Sequence, residues 1–363
     1  MTTNYSVYLN TPDDTRLAVI TRFNKLHYTR SVNQVGAMSL SLPASIIDSS
    51  FLKKDTRLEI WRSISSSTEY LETKTQWFVR NIQYDYDNKL YVLTAYSGLD
   101  LVRRRYIIYD DGTAEAVKSG LADDIIVDYV GENLGSSAAS GRAWSSYITV
   151  LSSPGNGPTI YRAASEKNLL DTIQEIAQDA ATAGTFVFFD MEYDPGSKLF
   201  IFKTFTQQRG IDHSTGQNVV TLSPEFGSLS DVNWENDYSD EVTFAYTSGK
   251  GLGGDRNLQS SSDSTRISES PFGRIELMVS GGNSNTNNEL ISMAQAEVRA
   301  GRPRRIIQAR IVNRPGTEYG INWGWGDRLK AQINNQVYTV RIDTIEVDVS
   351  GGNETINAGI RIE

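Results

Sequence analysis

Cysteine is absent from this 363-residue chain, and histidine occurs only at His27 and His213. The first absence excludes disulfides and thiolate metal sites. The second leaves no histidine cluster for a metal, and a Ser-His-Asp arrangement would have to use one of these two residues. Long apolar runs are also missing, since nothing approaches the ~18 residues of a membrane-spanning helix. The start, Met1-Thr-Thr-Asn-Tyr-Ser-Val-Tyr-Leu-Asn10, lacks a basic n-region and an apolar h-region, so no signal peptide is expected. The sequons at Asn4 and Asn353 then carry no meaning. Positive charge is in deficit, with 35 Lys and Arg against 44 Asp and Glu, a net charge of −9. A nucleic-acid-binding surface would be basic overall or in a clear patch.

What is present points to strands. Tyrosine dominates the aromatics, 18 residues against 12 Phe and 6 Trp, which suits half-exposed strands and interfaces. The length predicts two to three domains with ample core. One stretch organises the rest. Asp55-Thr-Arg-Leu-Glu-Ile-Trp61 is followed, after a polar interval, by Gln76 to Ala95. From Phe78 the apolar positions Phe78, Ile82, Tyr84 and Tyr86, with Arg80 the exception, alternate with a mostly polar set, Val79, Asn81, Gln83, Asp85 and Asp87. That period of two predicts a half-buried antiparallel strand. Asp87-Asn88-Lys89 is a turn signal, and Leu90–Ala95 can return as the partner.

A similar series closes the chain. Gly326-Asp-Arg-Leu329 opens a strand, Gln336 to Val349 forms a long alternating run, Ser350-Gly-Gly-Asn353 turns, and Glu354 to Ala358 returns. Here Tyr338, Val340 and Ile342 share one parity, and Ile345, Val347 and Val349 the other. The change of phase predicts a β-bulge near Asp343. We read two related β-modules.

Short strand-like runs at 5–9, 16–20, 25–30 and 38–42 complete the first module over 1–97. Residues 98–205 change texture. They hold an expected helix over 121–134 with Gly135 as C′, and a second with Ser165 as N-cap. In the second, Leu169, Leu170, Ile173, Ile176, Ala177 and Ala180 form one face and Gly184 stops it. Asp194-Pro-Gly-Ser197 predicts a hairpin. Residues 206–363 return to β, with Val219–Leu222 and Glu241–Tyr246 continuing the strands. A loop and helix insert lies at about 251–304, its helix between Asn288 and Gly301. The fold class expected is α+β, predominantly β, with two antiparallel β-barrel modules carrying an α+β insert and a helix-containing insert.

Chemical motifs are weak. Gly249-Lys-Gly-Leu-Gly-Gly254 fits G-x-G-x-x-G, but no helical pattern follows to face a pyrophosphate. Asp85-Tyr-Asp87-Asn-Lys89 puts a lysine where a calcium loop needs an oxygen ligand. The pairs Asp110-Asp111 and Asp123-Asp124 would suit a glycosidase only at a specific separation across a cleft. Arg103-Arg104-Arg105 reads as a solvated or subunit-facing patch. No catalytic residue, metal or cofactor is expected.

Several stretches together resemble siphophage tail-hub proteins, and more distantly the hub of contractile-tailed phage baseplates. They are Leu26 to Asn33 with Gly36 and Leu40-Ser-Leu-Pro43; Arg57-Leu-Glu-Ile-Trp61; Thr94 to Arg105; Val242-Thr-Phe-Ala-Tyr with Gly249 to Gly253; and Gly326-Asp-Arg-Leu through Ala358. The resemblance implies a homotrimeric ring, three chains with two tube-like modules each, joining a sixfold tail tube to a threefold spike or fibre. It implies tail-tube, tape-measure and spike partners, residence in the virion after assembly in the host cytoplasm, and DNA passing through the ring unbound. The lumen wall is then expected to be neutral to acidic, with Asp85, Asp87, Glu346 and Asp348 as channel-facing candidates. A carbohydrate-binding or glycoside-hydrolysing β-protein and a cellular β-scaffold are the alternatives.

Overall fold

The computed structural model describes residues 3–65, 67–108, 116–164, 166–251, 253–281, 287–312 and 314–362. The first part gives strands β1 (Thr3–Asn10), β2 (Arg16–Ile20), β3 (Lys25–Ser31), β4 (Ala37–Pro43), β5 (Arg57–Ile64), β6 (Tyr70–Asp85) and β7 (Leu90–Tyr96). A middle part holds α1 (Leu99–Arg103), β8 (Ala116–Leu121), α2 (Ala122–Asn133), β9 (Ile148–Val150), β10 (Thr159–Ala164), α3 (Leu169–Thr182), β11 (Val187–Asp194) and β12 (Leu199–Thr206). The last part contains β13 (Thr221–Leu222), β14 (Leu229–Asp237), β15 (Phe244–Ser248), β16 (Leu258–Ser262), α4 (Ser264–Ser268), β17 (Glu276–Ser280) and α5 (Asn287–Ala300). It ends in β18 (Arg304–Ile311), β19 (Arg328–Ile333), β20 (Gln336–Ser350) and β21 (Asn353–Ile362).

The protein is predominantly β. Strands from both ends of the chain join in one 13-stranded sheet, in the order β14-β18-β21-β20-β3-β4-β7-β6-β5-β1-β2, with β19 on β20 and β13 on β19. Among the described residues this path stays open. The expected pair of barrels is therefore seen as two halves of a continuous sheet, because β20 pairs with β3 from Thr344↔Ser31 to Ser350↔Lys25. The halves also share a core: Leu26, Tyr28, Leu40, Trp77 and Leu93 pack in one cluster with Ile307, Val340, Ile345 and Val347.

The middle part has its own core, built from α1, α2, α3 and the strands around them. Its long helix buries the expected face, Leu169, Leu170, Ile173, Ile176, Ala177 and Ala180. The N-cap is Asn168, whose side chain accepts from the Leu170 and Asp171 amides; Ser165 lies outside the described residues. Gly184 ends the helix at φ +90°, where a side chain would be strained. Gly135 follows α2 without that left-handed conformation. Its role is space, since a Cβ would stand 3.0 Å from Gly131 and 3.1 Å from Val150. The Asp194–Ser197 turn joins β11 to β12 as expected. Phe244–Ser248 lies in a small sheet of order β16-β15-β17, backed by α5, and not in the large sheet.

The repeat holds in structure, with a different alignment from the letters. Arg57 faces Phe78 as Arg328 faces Arg341, and Val79 pairs Ala95 as Ile342 pairs Ile360. In both copies one residue then drops out of the ladder. It is Asp343 in the second copy, as the phase change predicts, and Arg80 in the first. Arg80 is thus a bulge rather than an interruption of one face.

That bulge corrects another expectation. Ile82, Tyr84 and Tyr86 do not face a core; they are 38%, 37% and 82% exposed. Beyond Val79, among the described residues, β6 pairs with β7 alone, and these three side chains lie along that one-sided arm.

Candidate assembly surfaces

The seam between the halves carries two of the proposed channel carboxylates. Ile345, Val347 and Val349 point into the core, which turns Glu346 and Asp348 to the open face of β20. Across the seam, Lys25 Nζ lies 2.7 Å from Asp348, and His27 stands 3.6 Å from Glu346 and 3.5 Å from Asp348. The surface there is mixed in charge. Asp85 and Asp87 sit at the β6–β7 hairpin tip. Asp85 accepts from the backbone amides of Asp87 and Asn88 and from the Asn88 side chain, and that last bond leads in holding its carboxyl below the usual range. Asp85 therefore builds the turn.

The arginine run divides. Arg103 and Arg104 both reach the buried carboxylate of Asp100, which also receives Arg80 Nε at 2.7 Å. Their side chains stay half-exposed. Arg105 stacks 3.7 Å over Trp144 and donates to the Arg142 carbonyl at 2.8 Å, which fixes it within the subunit.

Among the described residues the candidate carboxylate pair serves the fold. Asp123 is buried and accepts from the Asn156 and Gly157 amides, while Asp124 accepts from Ser153; the pair anchors a loop. Asp110 and Asp111 lie outside the described residues. The Gly249–Gly254 segment connects β15 to β16 and leads into a strand, not into an α-helix of its own; Leu252 lies outside the described residues. His213 lies 3.6 Å from Asp327, whose carboxyl is pushed up by burial although the Ile211 and Gly324 amides donate to it. Among the described residues no group of His, Asp and Glu could hold a metal ion.

What the sequence reading missed is a set of buried charges that tie parts of the chain together. Arg62 on β5 holds Glu354 on β21 through Nε at 2.9 Å and Nη2 at 3.0 Å, and donates to Tyr70 and the Tyr319 carbonyl. Tyr5 also donates to Glu354. Nearby, Tyr319 donates to the buried Glu72. A second group joins the middle part to the sheet: Asp190 receives Arg30 at 2.7 Å and Arg209 at 2.5 Å. Burial opposes the Asp190 charge, yet the two guanidiniums outweigh it and hold the carboxyl below its usual range. Both arginines lie over the Trp325 ring. A signal did exist for Arg30, which shares the parity of Leu26 and Tyr28 in β3.

A family model for the Siphovirus ReqiPepy6 Gp37-like protein matches residues 6–360. The chain belongs to that family. The fold of this Gp37-like chain is shared with solved phage tail proteins. The 43 kDa tail protein of prophage MuSo2 from Shewanella oneidensis is similar at TM-score 0.62 and 12% identity, over 98% of each chain. A tail protein from Neisseria meningitidis MC58 is similar at TM-score 0.60 and 11% identity, over 99% of this chain and 97% of that one. Prophage tail protein gp18 from Listeria monocytogenes EGD-e gives 0.58 and 10%, over 98% and 94%. No curated protein matches the Gp37-like chain.

Proposed function

We propose that this Gp37-like protein is a tail hub. Three copies form a ring that joins the tail tube to the tip and surrounds the path of the exiting DNA. One observation supports this above the rest: two copies of one β-unit lie side by side in a single chain, paired edge to edge in register through β3 and β20. A chain that already contains one step between adjacent units needs only repetition of that step to close a ring. Three chains of two units give six positions, which suits a sixfold tube on one side and a threefold tip on the other. Closed symmetry also covers strand edges that would otherwise promote aggregation.

The units follow the division 1–97, 98–205 and 206–363, with the insert at about 251–304. The role is structural, without catalysis, alongside tube, tape-measure and spike proteins in the virion. Duplex DNA carries one negative charge per ~1.7 Å of axis, so a basic wall would retain it. Glu346, Asp348, Asp85 and Asp87 are assigned to the lumen side, and Arg103 and Arg104 to a subunit-facing patch. Nothing in the geometry favours the glycosidase alternative. Negative-stain imaging with native mass measurement tests the reading. A threefold ring of trimer mass is expected, and a monomer at every concentration overturns it.

A further inference from the structure

The two halves of the large sheet differ in one edge. In the second half, β20 carries a strand on both sides beyond its bulge: β21 on one and β3 on the other. In the first half, among the described residues, the matching segment of β6, Asn81–Asp85, pairs only with β7. The strand that would complete it is identified by the order of each half. From the hairpin outward the first half runs β6-β7-β4-β3, and the second runs β20-β21-β18-β14. So β14 stands where β3 stands. It too has one bare side, since among the described residues it pairs with β18 alone.

From these two bare edges we infer that β14 of one copy pairs with β6 of the next, as β3 pairs with β20 within the chain. This deepens the ring proposed above and rests on it. The ladders fix the register. Tyr28 faces Met38, which faces Ala95; Trp234 faces Ile307, which faces Ile360. Ala95 and Ile360 are themselves equivalent, so Trp234 occupies the position of Tyr28, Glu235 that of Thr29 and Asn233 that of His27. Val347 faces Tyr28, and its counterpart in β6 is Tyr84. The intermolecular pairs are then Tyr84 with Trp234, Gln83 with Glu235, Asp85 with Asn233, Ile82 with Asn236 and Asn81 with Asp237. The pairing is antiparallel.

Exposure and charge agree with this register. Tyr28 and Val347 are fully buried at the internal seam, whereas Trp234 is 45% and Tyr84 37% exposed. Those are the side chains that a second seam would cover. No pair sets like charges opposite each other, although Asp231, Glu235 and Asp237 make β14 strongly acidic. A basic strand is not what β6 offers; its Asn81 and Gln83 can accept acidic neighbours without repulsion.

The absence of cysteine makes the test clean. Opposed strand residues lie ~4.5–5.5 Å apart at Cα, within reach of a disulfide. The full-length double variant Gln83→Cys/Glu235→Cys, oxidised and run denatured without reductant, is expected to shift from monomer to a closed covalent trimer that reverts on reduction. Each single variant and the register-shifted pair Gln83→Cys/Asn236→Cys should stay monomeric, because a one-residue slip turns side chains to opposite faces. A trimer by native mass that fails to cross-link overturns this pairing and leaves the ring standing. A ladder of open oligomers keeps the pairing and overturns the trimeric ring. Monomers at all concentrations, without cross-links, overturn both.

Discussion

The two copies of the bulged hairpin share a ladder and differ in what surrounds it. In β20–β21 the bulge residue is acidic, Asp343, held by Arg341 at 2.8 Å and by Arg361. In β6–β7 it is basic, Arg80, held by Asp100 and Asp55. The sign of the charge is inverted, while the irregularity and its ion pairing are kept. A bulge strengthens twist and re-aims the strand beyond it. In the second copy the re-aimed segment enters the shared core beside β3; in the first it projects into solvent. The same local geometry therefore serves as a closed joint at one end of the chain and an open one at the other.

The heaviest blow to this arrangement should come from Arg62. It is the buried link between β5 in one half and Glu354 in the other. Truncation by Arg62→Ala strands the Glu354 carboxylate and removes the donor to Tyr70 and the Tyr319 carbonyl. Breaking one side of a buried ion pair costs roughly 3–5 kcal/mol. Denaturant unfolding should report a loss of that size; a change below about 1 kcal/mol would mean that the shared apolar core and the β3–β20 ladder join the halves without help from Arg62.

Matched truncations at equivalent places sharpen the contrast itself. Ile345→Ala opens a cavity in the core and should cost about 2–5 kcal/mol. Its counterpart Ile82→Ala, on the open arm, should change the isolated chain by no more than about 0.5 kcal/mol. Equal losses at the two sites, measured by unfolding at concentrations too low for association, would show that the arm is not open.

Much of this contrast was out of reach of the sequence. The alternation from Phe78 to Tyr86 revealed the strand and its turn, and the phase change revealed the Asp343 bulge. The same alternation misplaced Ile82, Tyr84 and Tyr86, because periodicity reports which residues share a face and not whether another element covers it. Arg80 looked like a flaw in a pattern since its partner Asp100 lies on a helix that the Leu99–Arg105 run did not announce. The strand β14 went unseen, its Leu-Ser-Asp-Val-Asn-Trp-Glu-Asn-Asp too polar to signal a strand. Of the candidate site residues, Glu346 and Asp348 were legible as an outward face, while the duty of Asp85 in its own turn was set by local amides. The buried charges were least legible, because acidic and basic residues are normally solvated.

Glu72 offers the mildest test, at a contact between β6 in the first half and Tyr319 in the second. Burial pushes its carboxyl above the ordinary glutamate range, against the attraction of Arg62 and the hydrogen bond from Tyr319. Those opposing interactions offset part of the cost, which is why the effect ranks below the others. A raised acid pKa means that the folded chain holds this proton more tightly than the unfolded chain does. Its contribution to stability is complete below the usual glutamate range and is lost as pH rises through the raised value. Glu72→Gln keeps the shape and removes the ionisation. Relative to the parent chain, the variant should gain stability as pH is taken from about 4 to about 8, unfolded glutamate titrating near ~4.3. Unfolding midpoints of the two chains, measured side by side over that range, read the difference directly. A gap that stays constant with pH would show that Glu72 ionises as freely in the folded chain as in the unfolded one, and that Arg62 and Tyr319 fully compensate its burial.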